Sequence, residues 1–162
     1  MVENFTLGND IERLPDTRTK IALGNRTSFY LNQNFILRTY YRFYTDDWGI
    51  DSHTFKAELP IKLGLNYTFY PMYRYYTQTA ANDFGEYNSI VSTQEFYTSD
   101  YDLAEYDAHQ YGIGFKYYDP LNKLSIGGFG LKSINLEYNY YERTIQNFNA
   151  NITSLSFNFV AN

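Results

Sequence analysis

Along most of this chain, apolar and polar side chains alternate with a period of two, the signature of strands whose two faces meet different surroundings. In residues 35–44, Phe35, Leu37, Thr39, Tyr41 and Phe43 occupy one face, while Ile36, Arg38, Tyr40, Arg42 and Tyr44 occupy the other. In residues 20–31, Ile21, Leu23, Thr27, Phe29 and Leu31 oppose Lys20, Gly24, Arg26 and Ser28. In residues 54–63, Phe55, Ala57, Leu59, Ile61 and Leu63 oppose Lys56, Glu58 and Lys62. The pattern continues with Phe69, Pro71, Tyr73 and Tyr75 against Thr68, Arg74 and Gln78, and with Tyr111, Ile113, Phe115 and Tyr117 against Gly112, Gly114 and Lys116. It closes with Ile134, Leu136, Tyr138 and Tyr140 against Ser133, Asn135, Glu137 and Asn139, then Thr153, Leu155, Phe157 and Phe159 against Ser154, Ser156 and Asn158. The spacing predicts antiparallel strands near 20–31, 35–45, 53–63, 67–79, 109–118, 131–143 (or from Leu124) and 151–161, a length that suits tilted strands crossing a bilayer.

The connections suggest which kind of β protein this is. Asn32-Gln-Asn34 and Gly64-Leu-Asn66 read as tight turns, as does Asp119-Pro-Leu-Asn-Lys123 if the next strand starts near Leu124. Residues 45–52, 79–108 and 142–150 read as longer polar loops. Short and long connections then alternate, as in a barrel with periplasmic turns at one end and extracellular loops at the other. The expected fold class is therefore all-β: an antiparallel up-and-down transmembrane β-barrel, incomplete, with about seven strands present. Residues 1–19 read as the remnant of an extracellular loop and 20–162 as strands of one barrel domain. An odd count and two open edges in lipid imply further strands upstream of this sequence.

Composition fits this picture. Aromatic residues make up 20% of the chain (19 Tyr, 13 Phe and one Trp), which favours strands over helices. A polar mean hydropathy of −0.50 is compatible with a barrel, because only alternate residues face lipid. With no cysteine there are no disulfides or thiolate metal sites, and Met1-Val2-Glu3 has neither the basic start nor the apolar segment of a signal peptide. Trp48, Tyr40, Tyr41, Tyr44, Tyr73, Tyr75 and Tyr76 read as interfacial girdle and wall, with no cofactor implied.

The net charge of −5 hides a spatial sorting. Most acidic residues lie in the leading segment and the long loops, leaving Glu58 and Glu137 on the polar face. Nine basic residues point to that face: Lys20, Arg26, Arg38, Arg42, Lys56, Lys62, Arg74, Lys116 and Arg143. Lys132 breaks the pattern by sharing the parity of Ile134 and Leu136, near a strand start from which it can snorkel to an interface. The candidate binding feature is a lumen-facing basic wall of Arg26, Arg38, Arg42, Lys56, Arg74 and Lys116, able to attract anions or, equally, to pair with carboxylates of further strands. Asp100, Asp102, Glu105 and Asp107 form a loop cluster with enough oxygens to suggest calcium, although it lacks the glycine of a calcium loop; solvated or lipopolysaccharide-bridging acid is the plainer reading. Ser52-His53 beside Asp51, and His109 near Asp107 and Ser99, raise a hydrolase reading. Sequence neighbours on a strand point to opposite faces, so Ser52 and His53 do not converge as nucleophile and base.

Five stretches resemble a known family: Glu12-Arg-Leu-Pro-Asp-Thr-Arg-Thr19, Tyr41-Arg-Phe-Tyr-Thr-Asp-Asp-Trp-Gly-Ile-Asp-Ser-His-Thr54, Tyr70-Pro-Met-Tyr-Arg-Tyr-Tyr-Thr-Gln-Thr-Ala80, and Phe96-Tyr-Thr-Ser-Asp-Tyr-Asp-Leu103 with His109-Gln-Tyr-Gly112. Together they are similar to an outer-membrane β-barrel family of Bacteroidota and related bacteria, a domain of unknown function. Residues 119–162 match by pattern alone, and Phe159 is followed by Val-Ala-Asn where many barrels end on an aromatic. The resemblance implies a bacterial outer-membrane location, with membrane lipid, lipopolysaccharide, the barrel-assembly machinery and further strands of the same barrel as partners. It implies no activity. The expected role is a channel, transporter or scaffold, with an anion preference if the lumen is open. The alternative is an interaction module whose acidic loops bind partners or divalent cations. A rim hydrolase is the third reading; neither nucleic acid nor a cofactor is expected.

Overall fold

A computed structural model describes residues 11–121, 125–126 and 128–161. They form a nine-stranded, wholly antiparallel sheet whose long strands follow chain order across it. The strands are β1 (Lys20–Tyr30), β2 (Ile36–Asp46), β3 (Asp51–Glu58), β4 (Ile61–Leu63), β5 (Tyr67–Gln78), β6 (Tyr106–Tyr118), β7 (Ser125–Ile126), β8 (Phe129–Arg143) and β9 (Asn149–Ala161). Among the described residues, the one helical element is a 3-10 turn at Tyr101–Leu103. Strands β3 and β4 are two halves of one crossing. Glu58 pairs with Met72 and Ile61 with Phe69 in an unbroken register, but Pro60 has no N–H to donate between them. Seven long crossings result, near the seven predicted segments. The sheet is open: among the described residues, β1 pairs only with β2, and β9 only with β8.

The turns depart from the expected alternation. The tight turn at 31–35 is present, with Asn32 Oδ1 accepting the N–H groups of Asn34 and Phe35. So is the one at 64–66, where Gly64 supplies a positive φ of 73°. The expected long loops at 45–52 and 142–150 are also short, however. Asp46 Oδ1 accepts the N–H groups of Trp48 and Ile50, which lets pairing run to Asp46 and resume at Asp51. Likewise β8 reaches Arg143 and β9 starts at Asn149. Polar residues there stay in the ladder because strand pairing needs only the backbone. The connection between β5 and β6 is long, running from Gln78 to Tyr106. Of the third predicted tight turn, Asp119 N–H donates to the Lys132 carbonyl; residues 122 and 123 and the proposed strand start at Leu124 lie outside the described residues.

Sidedness is the main structural result. Along β3, Ser52 and Thr54 are each only 5% exposed, whereas Asp51, His53 and Phe55 are exposed. In β3, β6 and β8 the polar parity is the more enclosed one and the apolar parity the more open, whereas β1 and β9 are exposed on both faces. Phe115, Leu136 and Leu155, aligned in one cross-strand row, are all exposed, as is Ile113 beside Tyr138 in the next. A water-soluble sheet buries such a face; a contiguous exposed one marks an apolar environment or partner. Lys132, the charge on apolar parity, is resolved by a β-bulge. The β8–β9 register passes from Leu131 to Ser133 and leaves Lys132 without a β9 partner.

Candidate functional site

The enclosed face is built from lateral rows of side chains that the register aligns. One row runs Arg26, Tyr40, Lys56, Arg74, Gln110, Tyr141 across β1, β2, β3, β5, β6 and β8. The next runs Ser28, Arg38, Glu58, Met72, Gly112, Asn139. A groove of about 490 Å³ lies over both, with walls from Arg26 on β1 to Glu137 on β8. Strands five places apart can share one cavity only if the sheet curls around it. Two further cavities of about 400 and 270 Å³ continue along the same face, and Arg74 lines all three.

Charge within the groove is unbalanced. Arg38 Nη1 and Lys56 Nζ both pair with Glu58, at its two carboxylate oxygens, each at 3.1 Å. Arg26 instead lies over the Tyr40 ring at 5.1 Å, and Arg42 over Tyr44 at 5.6 Å. Among the described residues, Arg26, Arg42, Arg74 and Lys116 have no carboxylate partner. Lys116 stands apart from the other five basic-wall residues, beside Thr68 and Asn135 near the opposite end of the face. Glu137 accepts from Asn139 Nδ2 rather than from a cation.

The long connection after β5 folds back over one end of this face. Gln78, buried at 5% exposure, donates from Nε2 to the carbonyls of Asp102 and Ala104 at 3.0 and 2.6 Å. Arg143 Nη1 pairs with Asp102 Oδ1 at 2.6 Å, and Ala81 N–H donates to the Leu103 carbonyl. Asp102 and Leu103 therefore line the same cavity as Arg18, Arg42 and Arg74. The leading segment packs on this connection too: Arg13 bridges to Tyr97, and Glu12 Oε1 accepts from Thr98 Oγ1 at 2.9 Å. No sequence signal announced the inward fold, because its anchors Gln78 and Arg143 look like any other polar strand residues.

The acidic cluster does not converge. Asp100 caps the 3-10 turn through the Asp102 N–H, Asp102 goes to Arg143, and Asp107 accepts from Tyr75 Oη at 2.9 Å on the opposite face. Glu105 stands exposed beside Thr144, and among the described residues no group of three acidic or histidine side chains surrounds a common point. The histidines lie on the apolar face. Tyr41 Oη and His53 Nδ1 are 2.8 Å apart, as Tyr73 Oη and His109 Nδ1 are at 2.9 Å, and both rings sit among aromatics. Ser52 is buried on the other face from His53, and Ser99 Oγ donates to the Gly85 carbonyl. The aromatic wall divides similarly: Tyr40, Tyr44 and Tyr76 share the enclosed parity, whereas Tyr41, Tyr73 and Tyr75 share the open one. Trp48 lies in the β2–β3 turn, with Arg18 4.4 Å over its ring.

An open, antiparallel up-and-down sheet, apolar on its exposed face and basic on its enclosed face, is the class these features define. The chain belongs to a family described as "Protein of unknown function (DUF3570)", whose sequence profile matches residues 3–156. No curated protein and no solved structure matches it.

Proposed function

We propose that this sheet is wall of a bacterial outer-membrane β-barrel, with the apolar face against lipid and the basic face against an aqueous, anion-preferring lumen. The observation that carries the reading is the inverted sidedness: large apolar side chains exposed, small polar ones enclosed. Aromatic placement supports it. On the open face Tyr67 and Tyr117 form one girdle, with rings 5.4 Å apart, and Tyr73, Tyr75, Tyr111 and His109 form another. Phe69, Pro71, Ile113, Phe115 and Leu136 fill the band between them. Tyr75 lies eight positions after Tyr67, about 26 Å along a strand at ~3.3 Å per residue. At a tilt of about 40° this spans roughly 20 Å of membrane normal, near the ~25 Å apolar band of outer-membrane barrels. In this reading the edges of β1 and β9 pair with further strands, since an unpaired edge in hydrocarbon costs several kcal/mol per backbone group.

The test is single-channel recording of the full-length protein in planar bilayers. Conductance with modest anion preference at low salt is expected, because an excess of lumenal guanidinium raises local anion concentration. Loss of that preference in high salt follows from a Debye length of about 3 Å at 1 M. A protein that enters bilayers but never conducts points instead to a closed scaffold.

A further inference from the structure

The basic groove has more structure than a diffuse positive lining. Four cations (Arg26, Arg38, Lys56 and Arg74) line it with two carboxylates, Glu58 and Glu137, an excess of two positive charges. Lys56 and Arg74 are direct cross-strand partners, and like charges so placed repel. Glu58 relieves only part of this, since Arg38 and Lys56 share it. A guest dianion would complete the balance. Three of the four cations are arginines, whose planar forks match tetrahedral oxyanions with paired N–H donors. A volume of about 490 Å³ exceeds what a bare oxyanion needs and falls within the range of small-ligand sites. Tyr40 and Gln110 line the same walls, giving a ring and an amide to a polar organic body.

We infer that the Arg26–Arg38–Lys56–Arg74 groove binds a doubly charged oxyanion of the phosphate class, free or carried on a sugar-sized polar solute. The inference rests on the reading of this face as solvent-filled lumen, and names the solute that lumen selects. A phosphate monoester carries about −1.5 to −2 at neutral pH, matching the uncompensated charge. A simple carboxylate supplies one charge and a planar rather than tetrahedral acceptor set.

Calorimetric titration of the full-length protein in detergent at low salt tests this, with inorganic phosphate, a hexose 6-phosphate and succinate as separate probes. Saturable 1:1 binding of either phosphate probe is expected, tighter for the hexose phosphate if the solute is organic and equal for both if the site takes free phosphate. Arg74→Gln should weaken it at least tenfold and Arg26→Gln severalfold, while Arg74→Lys should retain more affinity than Arg74→Gln. Lys132→Gln, which removes the same charge from the bulge outside the groove, should leave affinity unchanged. Retained heat-shifted electrophoretic mobility shows that each variant is folded; should Arg74→Gln fail to fold, Arg74→Lys and the salt dependence of wild-type binding decide. The inference is overturned by absence of saturable phosphate binding, by succinate binding as tightly as the phosphates, or by equal losses in Lys132→Gln and Arg74→Gln. Because conductance is not the readout, the two readings fail separately. An anion-preferring pore without saturable phosphate binding defeats only this inference, and saturable binding without conductance defeats only the channel.

Discussion

Tyr70 and Gly114 face each other across β5 and β6, and the outer end of the tyrosine ring occupies the space a Cβ at the glycine would need. Its Oη donates to Asn135 Oδ1 at 2.6 Å, so one aromatic covers β6 and ties β5 to β8. Gly112, one row away, leaves the same kind of space for Met72 and Asn139. Two glycines at adjacent inward positions of β6 thus let large side chains from neighbouring strands lie along the wall.

Gly114→Ala should therefore displace the Tyr70 ring and cost about 1–3 kcal/mol, the usual range for overpacking. Tyr70→Phe, which removes only the hydrogen bond, should cost about 0.5–1.5 kcal/mol. Denaturant unfolding of the full-length protein, followed by gel mobility, orders the two. A Gly114→Ala protein as stable as wild type would show that the ring does not need the glycine.

The exposed apolar face offers a test of environment that does not depend on transport. Ile113 is 53% exposed and sits mid-band between the two girdles. In water, Ile113→Arg would change stability by no more than about 0.5 kcal/mol. Against lipid near the midplane it should cost about 2–4 kcal/mol. Unfolding in lipid vesicles, with Lys132→Arg at the bulge as the tolerated comparison, separates these cases.

The inward fold of residues 79–105 depends more on Gln78 than on the ion pair. Gln78 is buried and serves two carbonyls, so Gln78→Ala leaves both without that donor, at about 1–3 kcal/mol. The Asp102 side chain is 70% exposed, so Asp102→Asn should loosen the segment less. Limited proteolysis should cut within 79–105 faster in Gln78→Ala than in Asp102→Asn, with wild type slowest. The same order in unitary conductance is expected if the segment narrows the lumen.

Topology is open to surface labelling. If the β5–β6 connection is extracellular, a cysteine at Asn88 should react with an impermeant maleimide on intact cells. One at Gln33, in the turn at the other end of the sheet, should react only after permeabilisation. The opposite pattern would invert the orientation.

Selectivity tests the wall as a whole. Replacing Arg38, Arg42 and Arg74 together by Gln should shift the reversal potential toward cations, with the largest shift at low salt. An unchanged reversal potential would place these groups away from the ion path.

Period-two alternation alone determined which segments are strands and which of their faces is apolar, because the pleat sends successive side chains to opposite sides whatever the partner strand is. It also assigned Arg26, Arg38, Arg42, Lys56, Arg74 and Lys116 to one face, and kept Ser52 and His53 apart. Tertiary structure decided what alternation cannot encode. Which cation stands beside which carboxylate depends on register, so Arg38 and Lys56 meet at Glu58 while Arg74 finds no carboxylate among the described residues. Polar residues at strand ends look like loop in sequence, yet Asp46 caps a tight turn and the ladder runs on to it. The acidic string at 100–107 looks like one cluster, but a strand beginning at Tyr106 sends Asp107 to the outer face while the preceding turn carries Asp102 inward to Arg143. That last separation follows from contacts 41 residues apart in the chain, beyond the reach of any local pattern.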